Sequence, residues 1–271
     1  MELLLQSVRE VGRFTANYLF CENLAGLAKF CLFAHTYGMN KKNTVLCAFM
    51  LLFVLIATQF INLSQYAGIR IALAETTNEE VPKCVYLTFD DGPSDKVTPK
   101  ILDVLKEEDV KATFFIVGKM AERRKYLIER EFAEGHTVAV HSYSHVYRDI
   151  YSSTAKLLDD IDRCNALIKE ITGQFSNVYR FPGGSFGLNQ KLINSVTAHG
   201  MRYVDWNASL RDAEIVNPTT DDLIKAAITT PANHNHIVML AHDTTDKTVT
   251  AAALKDIIHY YKDNGYIFEK F

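Results

Sequence analysis

The chain has 271 residues, 48% of them hydrophobic and 23% charged, with a formal net charge of −3. Those values lie near the averages for globular proteins and exclude a disordered, collagen-like or low-complexity chain. They also exclude a polybasic nucleic-acid binder.

Residues 1–38 read as a short N-terminal extension, either cytoplasmic or the product of an early start codon. Within it 14–33 is apolar but carries Glu22 and Lys29, which fits either an amphipathic helix lying on a membrane or a segment without function. From 43 to 69 no residue is charged, and 45–57 (VLCAFMLLFVLIA) is unbroken apolar sequence. A helix crossing the bilayer core needs about 20 residues, and 44–63 supplies them. Lys41 and Lys42 stand just before it. Positive charge stays cytoplasmic, so the C-terminal portion is expected outside the cell. The pattern therefore predicts a transmembrane anchor or signal segment over 39–66. Met39-Asn40-Lys41-Lys42 before an apolar run resembles a secretory signal, and Ala72-Leu73-Ala74 fits the small-x-small cleavage pattern. The distance from the apolar run and the intervening Arg70 favour an uncleaved anchor; cleavage would give a secreted protein. A linker follows over 67–81, and 82–271 is the soluble domain, long enough to bury a substantial core.

Five cysteines give no metal or redox motif. Cys21, Cys31 and Cys47 lie in or before the apolar region, only Cys84 and Cys164 follow it, and no pair has CxxC spacing.

Within 82–271 short apolar strands alternate with helices. Strands are expected over 84–89, 113–117, 137–140, 177–181, 203–205, 237–240 and 266–268. Helices are expected over 98–108, 120–134, 153–172, 189–199, 220–229 and 249–264, several ending at Gly135, Gly173, Gly200 or Gly265. The alternation implies a mainly parallel α/β sheet, and seven strands suggest a barrel or barrel-like closure.

Titratable residues follow these strands. Asp90-Asp91 comes after the first, His141 after the third, Arg180 ends the fourth, Asp205 the fifth, and His242 follows the sixth. In α/β barrels chemistry collects at the C-terminal ends of the strands. Asp91, His141 and His145 form a candidate metal set. Two His plus a carboxylate suit zinc and leave positions open; they also suit non-haem iron. His141 and His145 are four apart, which on a helical turn would face both imidazoles one way. Adjacent carboxylates repel. A metal on Asp91 and an Arg on Asp90 would offset that and leave Asp90 available as a base. Gly92-Pro93 predicts a tight turn.

Thr88-Phe89-Asp90-Asp91-Gly92-Pro93, His141-Ser142-Tyr143-Ser144-His145, Arg180-Phe181-Pro182-Gly183-Gly184, Asp205-Trp206 and Leu240-Ala241-His242 resemble, in this order, the five motifs of the carbohydrate esterase family 4 polysaccharide deacetylases, the NodB-homology domain. Lys111-Ala112-Thr113-Phe114-Phe115 is similar to the family's second strand. The resemblance implies a distorted (β/α) barrel and a metal-dependent hydrolase that removes acetyl groups from amino sugars or acetylated glycans. It implies a divalent metal on Asp91, His141 and His145, with Zn2+ favoured and Co2+, Mn2+, Ni2+ and Fe2+ left open. By position Asp90 would be the general base, oriented by Arg180. His242 would be the general acid, with Asp205 supporting its charged form. Trp206 and Leu240 would line the pocket for the acetyl methyl, and the Gly183 N–H would donate to the oxyanion. Two departures stand out: Gly183 replaces a bulkier residue, and Arg202 stands where the fourth motif often has an acid.

An outward-facing deacetylase without a carbohydrate-binding repeat is expected to meet an N-acetylated cell-wall glycan. The expected reaction is N-acetylglucosamine deacetylation in peptidoglycan. Alternatives are chitooligosaccharide deacetylation, acetylxylan esterase activity, or a non-catalytic wall-binding role. Phe114, Phe115, Val138 and Ile237 are expected in the core, and His136, His199, His234, His236 and His259 in surface or hydrogen-bonding roles.

Overall fold

β1 (Cys84–Asp90, CVYLTFD) is buried along almost its whole length. A parallel strand covered on both faces reads as a continuous apolar run, as this one does. The structure, a computed structural model, describes residues 82–232 and 234–271. The extension, membrane segment and linker expected over 1–81 lie outside the described residues. Among the described residues no helix is long and apolar enough to cross a membrane.

After β1 come α1 (Thr98–Glu107), β2 (Thr113–Val117), α2 (Gly118–Ala121), α3 (Lys125–Ala133) and β3 (Thr137–Ser142). The middle of the domain holds α4 (Tyr147–Ile150), α5 (Thr154–Thr172), β4 (Val178–Tyr179), α6 (Gln190–Ala198), β5 (Arg202–Tyr203) and β6 (Ala208–Ser209). It closes with α7 (Thr220–Thr229), β7 (His236–His242), α8 (Thr248–Asp263) and β8 (Ile267–Glu269). The single helix expected over 120–134 is two. Arg124 leaves the helical region (φ −136°, ψ 36°), and its guanidinium donates to Asp95 at 2.8 Å and Met120 O at 3.2 Å.

Every ladder is parallel, in the order β5-β4-β3-β2-β1-β7-β6, with β8 also on β1. β7 covers one edge of β1 from Cys84 to Asp90. The other edge is shared: β2 pairs with Thr88–Asp90, and β8 pairs with Cys84–Tyr86. Among the described residues no ladder joins β5 to β6, so the expected barrel is an open, half-barrel sheet. The reason is visible in β4, β5 and β6, which hold two residues each, too few to carry hydrogen bonding round the circle. β6 has no counterpart in the sequence pattern. Phe114, Phe115, Val138 and Ile237 are buried, as expected of core residues.

Glu131 on α3 is fully buried, and neither carboxylate oxygen has a hydrogen-bond partner among the described residues. Burial, with the nearby charge of Asp243, pushes its pKa well above the usual carboxylate range. The folded protein therefore holds this acid neutral, while the unfolded chain ionises it above about pH 4.5. A raised folded pKa means stability present at low pH and lost as pH rises towards the folded value. Glu131→Gln removes that loss. Thermal unfolding should show the variant melting higher than wild type at pH 8, by about 2–4 °C for each kcal/mol gained. The gain should shrink at pH 5. A lower melting point at pH 8 would mean that the carboxylate is charged and paired.

Candidate active site

The β1–β7 register sets Asp90 directly beside His242, so neighbouring strands deliver an acid and an imidazole to one rim. The chain then turns sharply. Asp91 adopts φ 73°, and Gly92–Pro93 is cis. A Cβ on Gly92 would fall 2.1 Å from Asp243 Oδ1, so only glycine lets this loop lie against β7. Asp243 fastens the loop from below. Its N–H donates to Asp90 O (3.3 Å), and its carbonyl accepts from Ser94 Oγ (2.6 Å). Its carboxylate accepts from Thr98 Oγ1 (2.5 Å), and burial pushes its pKa up to about 7.

His141 and His145 do not share a helical turn. His141 is the penultimate residue of β3, and His145 follows in a loop at φ 55°. That loop is held by Asp160 of α5, which accepts from Ser142 Oγ (2.5 Å), Tyr143 N (2.7 Å) and Ser144 N (2.9 Å). Ser142 Oγ in turn accepts from His145 N at 2.8 Å. Asp91 and His145 both occupy a left-handed region that costs a non-glycine residue energy, and such strain gathers at functional sites.

Asp91, His141 and His145 each point one ligating atom at a common centre, all within 4.8 Å of one another. Asp91 Oδ1 lies 3.3 Å from His141 Nε2 and 3.0 Å from His145 Nε2. The Arg180 carbonyl accepts from His141 Nδ1 at 2.8 Å, which places the proton there and leaves Nε2 as a lone pair. Asp91 Oδ1 is buried without a hydrogen-bond donor. Three ligating atoms converging on one point fit a cation, and this donor set is one that Zn2+ and similar divalent ions take. Burial works to raise the Asp91 pKa. The two imidazoles outweigh it and hold the carboxyl far below its usual range. Burial likewise opposes a charged His145, and Asp91 outweighs that too.

Arg180 is fully buried. Its Nη1 donates to Asp90 Oδ1 (2.8 Å) and Thr88 Oγ1 (2.7 Å), and its Nε to Val204 O (3.0 Å). The guanidinium rests 4.1 Å over the Phe115 ring, so this core residue also floors the site. Asp90 Oδ2 is 3.9 Å from His141 Nε2, on the side of the metal set.

The carboxylate on His242 is Asp212, not Asp205. Asp212 Oδ1 meets His242 Nδ1 at 2.8 Å, and Oδ2 accepts from His242 N (2.8 Å) and Thr250 Oγ1 (2.9 Å). Asp205 instead accepts from Ser185 N at 2.9 Å and from the Ser185 hydroxyl, which orders the loop after Arg180. Its carbonyl takes Arg180 Nη2 at 3.3 Å. Arg202, the departure in the fourth motif, lies over the Phe271 ring at 5.2 Å. Burial works against protonation of His242. Asp212 outweighs it, helped by Asp90 and Asp91, and the pKa rises to about 9.

Residues 77–204 match the family model of polysaccharide deacetylases. A peptidoglycan-N-acetylglucosamine deacetylase of Bacillus cereus is 35% identical over 198 residues, covering 72% of this chain and 71% of that protein. The chain belongs to the polysaccharide deacetylase family. A peptidoglycan-N-acetylmuramic acid deacetylase of Bacillus subtilis is 34% identical over 194 residues, covering 69% of each. Among solved structures, the catalytic domain of a peptidoglycan N-acetylglucosamine deacetylase from Eubacterium rectale is 39% identical with a TM-score of 0.65, covering 72% of this chain and 90% of that one.

Around these groups the deacetylase has a cavity of about 210 Å³. Trp206, Leu240 and Gly183 line it, together with Asp90, Asp91, His141, His145 and His242. Tyr147 and Asp212 line it too. Gly183 sits at φ 78°, and a Cβ there would meet the Tyr147 hydroxyl at 3.3 Å. Tyr147 from α4 thus fills the side that a larger residue at 183 would claim, and its ring stands edge-on to His145 at 5.3 Å.

Proposed function

We propose that this chain removes N-acetyl groups from N-acetylglucosamine residues of peptidoglycan and releases acetate. The observation that carries this reading is the convergence on one cavity of a three-ligand set, an Asp90–Arg180 pair and a His242–Asp212 pair. The names of the related enzymes support the choice of glycan. A divalent cation on Asp91, His141 and His145, Zn2+ being favoured by the donor set, would polarise the acetyl carbonyl and acidify the attacking water.

The chain's own residues supply the proton transfers. Asp90, held through Oδ1 by Arg180, presents Oδ2 to take the proton of the water. The Gly183 N–H donates to the oxyanion as the carbonyl becomes tetrahedral, a contact of a kind worth about 3–4 kcal/mol. Trp206 and Leu240 wall the space for the methyl group. His242, kept protonated by Asp212, gives its proton to the departing nitrogen. Base and acid come from adjacent strands, so the carbonyl carbon can lie between them. Charge segregation at 39–69 supports the further reading that the domain is carried outside the cell on an uncleaved anchor.

One assay tests these points. Acetate release by the full chain is measured on peptidoglycan, chitooligosaccharides and acetylxylan, with and without chelator, in membrane and soluble fractions. Release should be fastest on peptidoglycan, vanish with chelator, return with Zn2+ and sediment with membranes. Faster release from chitooligosaccharide or acetylxylan would reassign the substrate. No release with any divalent metal would favour a glycan-binding protein.

A further inference from the structure

A second, larger cleft is lined by Tyr143 and Ser144 of the HSYSH loop and by residues of the segment that follows β2. It encloses about 560 Å³ and is floored by Tyr143 and Ser144. Its walls carry Lys119, Arg123, Arg124 and Arg163 against the single acid Glu122. Arg124 is paired, whereas Glu122 keeps its charge. Arg124 is bound to Asp95 at 2.8 Å, and Glu122 accepts from the Tyr143 hydroxyl at 2.5 Å. Lys119, Arg123 and Arg163 have no carboxylate partner among the described residues. Arg163 is held with its guanidinium 3.9 Å over the Tyr143 ring, which fixes its direction while leaving its charge uncompensated. In a chain whose net charge is −3, three cations without an ion-pair partner against the one charge of Glu122 leave a positive excess around one concavity and mark a site for anions.

The cleft is also tied to the chemistry. The Lys119 N–H donates to Tyr143 O at 3.0 Å, so the basic wall and the floor are one piece. The floor is the loop that Asp160 pins, and Ser144 is the residue before the ligand candidate His145. Consecutive Cα atoms are about 3.8 Å apart. The two concavities are thus lined by neighbouring residues of one loop, and a polymer lying across that loop would span both.

We propose that this cleft is a subsite for carboxylates carried by the glycan beside the sugar that loses its acetyl group. The inference rests on the peptidoglycan reading and sharpens it. In that polymer each N-acetylglucosamine adjoins a lactyl-bearing sugar whose peptide, or whose own free lactyl group, supplies carboxylates. Chitooligosaccharides carry none. Guanidinium and ammonium groups suit carboxylates, and exposed pairs of this kind weaken as salt rises.

The test uses the full-chain double variant Lys119→Gln/Arg123→Gln. Both side chains are exposed and outside the catalytic cavity. Three substrates are compared: wall glycan strands with their peptides, the same strands after amidase treatment, and chitooligosaccharide. KM should rise about tenfold on both wall strands, with kcat unchanged and no change on chitooligosaccharide. Added salt should narrow the gap between variant and wild type. A variant KM equal to that of wild type on the wall strands would overturn the subsite, as would a rise of the same size on chitooligosaccharide. Direct titration of the full-chain protein with wall strands needs no turnover, so it separates this inference from the proposed reaction. A tenfold weaker Kd in the variant supports the cleft even if no acetate appears, and an unchanged Kd overturns it.

Discussion

Asp90→Asn is expected to lower kcat about 10²- to 10⁴-fold while leaving metal binding intact. The side chain is almost completely buried, and Arg180 fastens one of its oxygens. An asparagine can offer its amide oxygen to the same guanidinium, so the position of the group survives. What is lost is a lone pair able to take a proton, on the oxygen that faces the ligand set 3.9 Å from His141. Asp91, His141 and His145 are untouched, and divalent metal should still titrate into the variant with near wild-type affinity. Loss of turnover together with metal affinity would point instead to a ligand role for Asp90. A wild-type rate would remove it from the mechanism. The removal also leaves the buried charge of Arg180 without its counter-ion, so melting temperature should fall as well. Activity is therefore compared at a temperature where both proteins are folded.

Much of the site was legible because its residues ride on strand ends. The apolar run of β1 fixes where Asp90 and Asp91 emerge, and the same holds for His141 on β3 and His242 on β7. Asp212 was not legible for a physical reason. It stands on no strand. The two-residue ladder of β6 against β7 (Ala208↔Met239, Ser209↔Leu240) and the left-handed turn at Arg211 (φ 57°) bring it beside His242. A ladder that short leaves no trace in hydrophobic alternation, so Asp205, adjacent to Trp206, drew the role instead. Asp160 did leave a signal. Leu157, Ile161, Cys164 and Ile168 form the buried stripe of α5, and an acid inside that stripe needs donors. The loop holding His145 supplies them. The barrel-like sheet was legible but its open seam between β5 and β6 was not, since periodicity does not show whether strands of two residues find partners. Tyr147 gave no sign at all, because its part is defined by the missing side chain of Gly183 across the cavity.

Asp212→Asn should convert a broad pH profile into one that fails early on the alkaline side. His242 stays protonated to about pH 9 because Asp212 stabilises the imidazolium against the cost of burial. Removing the negative charge lets the pKa fall back towards the ordinary 6.5, since burial is then opposed only by the more distant charges of Asp90 and Asp91. A general acid works only while it holds its proton, so activity is present below the pKa and lost above it. At pH 8 the protonated fraction would drop from nearly all to a few per cent, a loss of about 30-fold, whereas at pH 6 the two proteins should differ little on this account. Cation binding nearby lowers both pKa values, but the separation between wild type and variant remains. An asparagine also keeps fewer acceptor positions for His242 N, His242 Nδ1 and Thr250, so some loss at every pH is expected from misorientation of the ring. The diagnostic is therefore the displacement of the alkaline limb in kcat/KM, measured alongside Asp205→Asn. That variant loosens the Ser185 loop but should leave the limb in place. If Asp205→Asn moved the limb and Asp212→Asn did not, the pairing of His242 with Asp212 would have no catalytic meaning, and the acid would have to be sought elsewhere in the cavity.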